Sequence, residues 1–195
     1  MSETPTHPAS DERLMLAFTH GSPEALTELF RRYQQPIHGF FRRRIADPAQ
    51  AEELLQETFL ALLRAAKRYE PRALFRTYLY AIALKILRSH RRKAIFRAAW
   101  FGRPDTVPDP AKRDSTETDL WVRRAVAQLD ATDREILLLR EFEQMSYAEI
   151  ADLLHLPLNT VRSRLFRART ALRQLLEAPA PQAVTRDIST VGAST

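Results

Sequence analysis

The sequence predicts an all-α fold: two small helical domains joined by a flexible linker, the second carrying a helix-turn-helix. Three observations lead there. The 195 residues include only four glycines, and no run of alternating β-branched residues marks a sheet. Helix-start signals recur instead. Ser22-Pro23 and Asp47-Pro48 each place a capping side chain before a proline at the first helical position. Thr132 with Glu135, and Ser146 with Glu149, have the spacing of a capping box. Finally, residues 102–116 hold three prolines among mixed polar residues, the composition of a linker between two helical blocks.

Bulk composition narrows the function. Hydrophobic residues make up 45% of the chain, enough for a packed core. A formal net charge of +6 and a pI near 10.0 favour an anionic partner, nucleic acid or a membrane surface. With no cysteine there is no disulfide, thiolate nucleophile or cysteine-based zinc site. The five histidines (His7, His20, His38, His90 and His155) are scattered without metal-ligand spacing, and no glycine-rich phosphate loop is present. No metal, cofactor or catalytic group is therefore expected, and the chain does not read as an enzyme. The longest apolar-leaning stretch, 78–87, contains Lys85 and is too short to span a bilayer.

In chain order, residues 1–11 are polar and proline-bearing, read as a disordered lead without the pattern of a signal peptide. The first domain is placed at 12–97. Its helix from Asp47 sets Ala51, Leu55, Thr58 and Leu62 on one inner face, widened by Leu54 and Phe59. The outer face carries Glu53, Gln56, Glu57 and Arg64, with Leu60 among them. A leucine ringed by polar groups suits a protein contact, although single exposed leucines are common. Next, Tyr69 and Phe75 bracket a short loop, and Tyr78 and Tyr80 follow at a helix start. Aromatic faces can hold unstacked bases, at roughly 1–3 kcal/mol per base, or fill a core. Lys85, Arg88 and Arg92 then lie at i, i+3 and i+7 and form one stripe. Arg91, Lys93 and Arg97 add charge, and no acid occurs over 77–103. Such a helix can follow a phosphate backbone. Leu79, Ile82, Ala83, Ile86 and Leu87 are read as core, which disfavours a membrane-facing role.

Residues 98–117 are read as the linker, 118–177 as the second domain and 178–195 as a disordered tail. In the second domain, a short helix over 146–154 buries Ile150, Leu153 and Leu154, and Pro157 cannot continue it. A longer helix then runs over 159–176, the spacing of a helix-turn-helix. Val161, Leu165, Ala168 and Leu172 share its inner face. The remainder presents Asn159, Thr160, Ser163 and Arg167, flanked by Arg162, Arg164, Arg169 and Arg173. Five arginines and no acid fall within 159–173. Short polar side chains at the helix start suit base edges, and the arginines suit phosphates. The bland alternative is a solvated basic face on a bundle helix.

Three runs carry a resemblance: LDATDREILLLR at 129–140, MSYAEIADLL at 145–154 and NTVRSRLFRAR at 159–169. Together they closely resemble the fourth conserved region of bacterial RNA polymerase sigma factors, which contacts the upstream (−35) promoter element. DPAQAEELLQETFL at 47–60 resembles the segment that sigma factors lay against the coiled coil of the largest polymerase subunit. YEPRALFRTYLYAIA at 69–83 is similar to their promoter-melting segment. A third region is missing between the blocks, so the chain looks like a small, extracytoplasmic-function sigma factor.

The resemblance implies core RNA polymerase, promoter DNA and an anti-sigma factor as partners. It implies a cytoplasmic protein that is monomeric when free and does not insert in a membrane. Glu53, Gln56, Glu57 and Leu60 would contact the polymerase. Tyr69, Phe75, Tyr78, Lys85, Arg88 and Arg92 would handle the downstream (−10) element, and Asn159, Thr160, Arg162, Ser163, Arg164, Arg167 and Arg169 the −35 element. The family often has tryptophan at Tyr78, asparagine at Lys85 and aspartate at Ser89, so the −10 preference should be this chain's own.

Overall fold

The computed structural model describes residues 9–71, 73–101 and 117–177. The tail at 178–195, residues 1–8 of the lead and residues 102–116 of the linker lie outside the described residues. Four helices form the first domain: α1 (Asp11–Thr19), α2 (Pro23–Arg42), α3 (Pro48–Ala65) and α4 (Phe75–Phe101), with a 3-10 turn at Ala66–Arg68 after α3. Four more form the second: α5 (Glu117–Gln128), α6 (Ala131–Glu141), α7 (Tyr147–Leu154) and α8 (Leu158–Glu177). Among the described residues there is no strand.

The first domain is held by apolar stripes from all four helices. Met15, Leu29, Ile37, Phe40, Phe41, Leu62, Phe75, Leu79 and Leu87 are fully buried there. Every residue expected on the inner face of α3 is in the core, as are Leu79, Ala83, Ile86 and Leu87 of α4. Polar contacts fix the ends. Asp47 accepts from the N–H of Ala49 at 2.9 Å and starts α3 as a capping aspartate should. Asp11 of α1 takes an ion pair from Arg32 at 2.7 Å and the hydroxyl of Tyr33. Glu12 accepts the N–H of Phe75 at 2.9 Å, so a carboxylate from α1 caps α4 across the domain. Gly21, at φ +100, makes the turn into α2, a backbone conformation that other residues adopt only with strain. Ser22 precedes Pro23 as expected, but its hydroxyl donates to Glu24 and caps no backbone N–H.

One start signal is corrected. Helix α6 begins at Ala131, capped by Asp130, whose carboxylate accepts from both Thr132 and Asp133 N–H groups at 3.0 and 3.2 Å. One carboxylate satisfies both orphan donors, so Thr132 lies inside the helix. Glu135 then makes no capping box and is free to pair elsewhere. The Ser146–Glu149 box forms as expected, in both directions, at 3.2 and 2.8 Å. After α7 the chain turns through His155 in the left-handed region (φ 55), and α8 opens just past Pro157.

The two domains pack against one another through charge. The Arg44 side chain, only 1% exposed, reaches Glu135 at 2.7 Å and Glu143 at 3.4 Å. Its guanidinium lies 3.8 Å over the Phe40 ring and also donates to the Phe40 carbonyl at 2.9 Å. Arg43 meets the same Glu143 at 2.8 Å, and the Tyr80 hydroxyl donates to it at 3.0 Å. A little further along, Arg76 of α4 pairs with Glu149 of α7 at 2.6 Å. Apart from the Phe40 contacts, which hold Arg44 within the first domain, each of these bonds joins one domain to the other.

Candidate nucleic-acid interface

Helix α8 has one buried apolar face and one exposed polar face. Val161, Leu165 and Ala168 are buried against α6 and α7, and Leu172 is half-buried. Asn159, Arg162, Ser163 and Arg167 are consequently exposed, with Thr160 half-buried at the edge. Three of the arginines are already engaged by acids of the same domain. Arg164 pairs with Asp133 at 2.8 Å and with Asp130 at 3.3 Å, Arg167 reaches Asp133 at 3.5 Å, and Arg169 pairs with Glu141 at 2.6 Å. These acids hold the guanidiniums beside the exposed start of the helix, and any anion binding there would have to displace them. Phe166, 73% exposed on the same helix, was not singled out by the sequence, because it falls between the core and polar stripes.

Helix α4 offers a different surface. Lys85, Arg88 and Arg92 are exposed along one side, while the opposite side packs into the first domain. Arg91, exposed beside the stripe, lies near Glu135 and Arg134 of the second domain as well as Arg44. The stripe ends in Ile95, Phe96 and Trp100, all more than half exposed, with the two rings 5.7 Å apart. Composition had hinted at charge here but not at this apolar end.

The aromatic loop lies at the start of α4. Tyr69, Phe75 and Tyr78 form one cluster, the Tyr69 ring 6.3 Å from Phe75 and 5.3 Å from Tyr78. Phe75 is 0% exposed and packs edge-on against Tyr33 as well, so it props the cluster from below and does not face solvent. This corrects its expected contact with DNA: the apolar interior of the domain claims the ring. Tyr80 is likewise buried, in the junction between the domains. Tyr78 is half-buried, at the rim. Tyr69 is mostly buried, and its hydroxyl has no hydrogen-bond partner among the described residues. Burial raises the pKa of both phenols, so each keeps its proton as a donor.

The outer face of α3 named from the sequence is exposed. Glu53, Gln56, Glu57 and Arg64 are exposed around Leu60, itself 49% exposed. Leu63, 39% exposed, extends the apolar centre. Its place one turn beyond Leu60 was the available signal.

Two helical domains, one ending in a helix-turn-helix and the other pairing an acidic leucine face with a basic aromatic helix, define a two-part DNA-binding protein. Comparison with known proteins makes the class specific. The sigma-70 region 2 family model matches residues 29–95, and the sigma-70 region 4 model matches 119–172. RNA polymerase sigma factor CarQ of Myxococcus xanthus is 34% identical over 83% of this chain and 95% of its own length. The ECF RNA polymerase sigma factor SigC of Mycobacterium tuberculosis is 34% identical over 86% of this chain and 94% of its own. Among solved structures, CnrH in complex with the cytosolic domain of CnrY shares the fold, with a TM-score of 0.70 and 24% identity over 88% of this chain and all of that one. The sigma factor RpoE of Bartonella quintana, solved with the anti-sigma factor NepR, gives 0.63 and 22% over 79% of this chain and 98% of that one. The chain belongs to the extracytoplasmic-function group of RNA polymerase sigma factors. Such proteins direct core polymerase to promoters and perform no catalysis of their own.

Proposed function

We propose that the first domain, placed at 12–97, docks core polymerase through Glu53, Gln56, Glu57 and Leu60 and handles the −10 element. The second, placed at 118–177, reads the −35 element in the major groove. The observation that carries this division is the exposure of three separate faces, on α3, α4 and α8, with opposite charge on the first and the other two. Arg162 is the exposed arginine nearest the start of α8, with Asn159 and Ser163 placed toward base edges. Arg164, Arg167 and Arg169 exchange their intramolecular acids for phosphates.

At −10, Lys85, Arg88 and Arg92 follow the backbone while a flipped base stacks on Tyr78. Tyr69, its ring 5.3 Å from Tyr78 and mostly buried, backs the stacking ring. Phe75 acts as the floor beneath both rings. Two solved relatives in fold were captured with a partner, the cytosolic domain of CnrY in one and the anti-sigma factor NepR in the other. An anti-sigma factor is proposed here too, controlling a protein that works in the cytoplasm and is monomeric when free. None of the described helices is long and apolar enough to cross a membrane.

Transcription from a library of promoter fragments with purified core polymerase tests the reading. Sequence-selective transcripts that appear only when this protein is added support it. Duplex binding without core polymerase, and no transcripts with it, would make the protein a stand-alone regulator.

A further inference from the structure

The junction between the domains does more than connect them. Three carboxylates of the second domain, Glu135, Glu143 and Glu149, enter a site formed by Arg43, Arg44, Arg76 and Tyr80 of the first. The side chains of Arg44 and Glu143 are each only 1% exposed. Charges buried to that depth are tolerated when geometry and hydrogen bonds are nearly complete. Here Arg44 and both Glu143 oxygens are satisfied, while the buried Arg43 Nε has no partner among the described residues. Arg44 is fixed in advance by the Phe40 ring and carbonyl, and Glu143 accepts from Arg43 through one oxygen and from Tyr80 through the other. Arg43 also lies 4.9 Å over the Phe142 ring, next to Glu143 in sequence. The junction is therefore a single specific seat.

None of the three candidate binding faces is covered by that seat. The Leu60 face of α3, the Lys85–Arg88–Arg92 stripe and the start of α8 all stay exposed in the docked arrangement. What docking removes is reach. Elements centred near −10 and −35 are separated by about 25 base pairs, or roughly 85 Å along B-form DNA. A compact chain of this length has a radius of gyration of about 16 Å, and so a diameter of only about 40 Å. The docked body can meet either element but cannot span both.

We propose that the Arg43–Arg44–Glu135–Glu143 cluster, seconded by Arg76–Glu149, is an autoinhibitory latch. The latched protein docks core polymerase through its first domain, and the latch must open before both promoter elements are engaged. This rests on the reading above for what the opening achieves, but the latch itself is independent of it. Glu143 is the keystone, since it alone touches Arg43, Arg44 and Tyr80 together.

The chain lacks cysteine, so Thr27→Cys and Gln174→Cys, one exposed position in each domain, accept a donor and an acceptor dye. Single-molecule energy transfer is then recorded on the full chain alone, and again with core polymerase and promoter DNA. The unmodified junction should give one narrow high-transfer population, which moves to low transfer when polymerase and promoter are both present. Glu135→Gln with Glu143→Gln should raise the ratio of open to closed molecules at least tenfold without any partner. Arg76→Gln, which leaves the central cluster and the α7 cap intact, should shift it in the same direction by less. Circular dichroism reports whether the double variant keeps its helices; if it does not, Arg76→Gln decides. A broad low-transfer population in the unmodified chain, or a population that folded variants do not move, overturns the latch. Promoter-selective transcription with an unmoved population would keep the sigma reading and discard the latch. Opening without transcription in any variant would do the reverse.

Discussion

Helices α4 and α8 both line arginines along an exposed side, the one proposed to face DNA, yet they manage that charge in opposite ways. Three of the α8 arginines are met by acids of their own domain: Asp130, Asp133 and Glu141. The α4 stripe comes from a segment, 77–103, that contains no acid at all. A helix whose cations already have partners gains from DNA only the difference between a phosphate and a carboxylate, which tempers indiscriminate binding and leaves base contacts to decide. A helix with no acid of its own gains from any phosphate. The contrast suits a sequence reader at one end of the promoter and a backbone track beside a melted strand at the other.

The largest effect expected is from removing the support of the reading helix. Leu165 is 1% exposed at the centre of the second domain, and Leu165→Ala should cost roughly 2–5 kcal/mol of that domain's stability. A melting curve should show the loss, and −35 duplex binding should fall with it, while the α4 surface keeps its affinity for nonspecific DNA. Next come the contacts themselves. Tyr78→Ala should remove roughly 1–3 kcal/mol of stacking, slowing permanganate-detected promoter opening while closed-complex binding holds. Arg162→Ala should lose about as much discrimination at its base pair. Arg164→Ala should lose less, because the arginine it removes is already paired to Asp133. Equal losses at the two arginines would undo the contrast between paired and unpaired charge.

Salt dependence sharpens the same point more gently. Replacing Lys85, Arg88 and Arg92 together by alanine should reduce the slope of log affinity against log salt by about 2.7, at about 0.9 per phosphate contact. The loss should be equal on all duplex sequences. Glu141→Gln should move the other way, raising the slope by up to about 0.9 as Arg169 is released to the backbone. Filter binding across a salt series measures both.

Much of this was legible in the sequence because it depends on local spacing. Periodicity alone placed Ala51, Leu55, Thr58 and Leu62 of α3, and Val161, Leu165 and Ala168 of α8, in the core, and the α7 cap followed from Ser146 and Glu149. Errors arose where two residues competed for one local role, or where the partner was distant. Asp130 took the cap assigned to Thr132 because its carboxylate reaches two N–H groups at once. Phe75 looks the same in sequence whether it faces a base or a core; only Tyr33, on another helix, decides. The latch was the least visible element. Arg44 and Glu143 are ninety-nine residues apart, and no periodicity links positions that meet through the docking of two domains. The one local sign was three successive arginines, Arg42 to Arg44, directly after two phenylalanines.

The smallest effect, and the one that separates cap from latch, is acid titration. Glu149 serves both structures, closing the capping box on Ser146 and receiving Arg76 from the first domain. Burial pushes its pKa up, but the Ser146 N–H, the Arg76 guanidinium and the Ser146 hydroxyl together outweigh burial and leave it below the ordinary 4.5. A depressed folded pKa contributes stability that is fully present above 4.5 and is lost as pH falls through the folded value. Asp130 follows the same sign, held below 3.8 by the N–H groups of Asp133 and Thr132. Glu28 in the first domain is held at about 2 by Arg31 and Arg32. Lowering the pH below about 4.5 should therefore loosen the helix-turn-helix and its docking, while Glu28 keeps its charge down to about 2. Ser146→Ala removes the cap, at a cost of about 1 kcal/mol, but leaves Arg76–Glu149 in place. If interdomain transfer in that variant still falls with acid, the titration belongs to the latch. If it becomes flat, the cap alone was responding, and Glu149 contributes nothing measurable to holding the domains together.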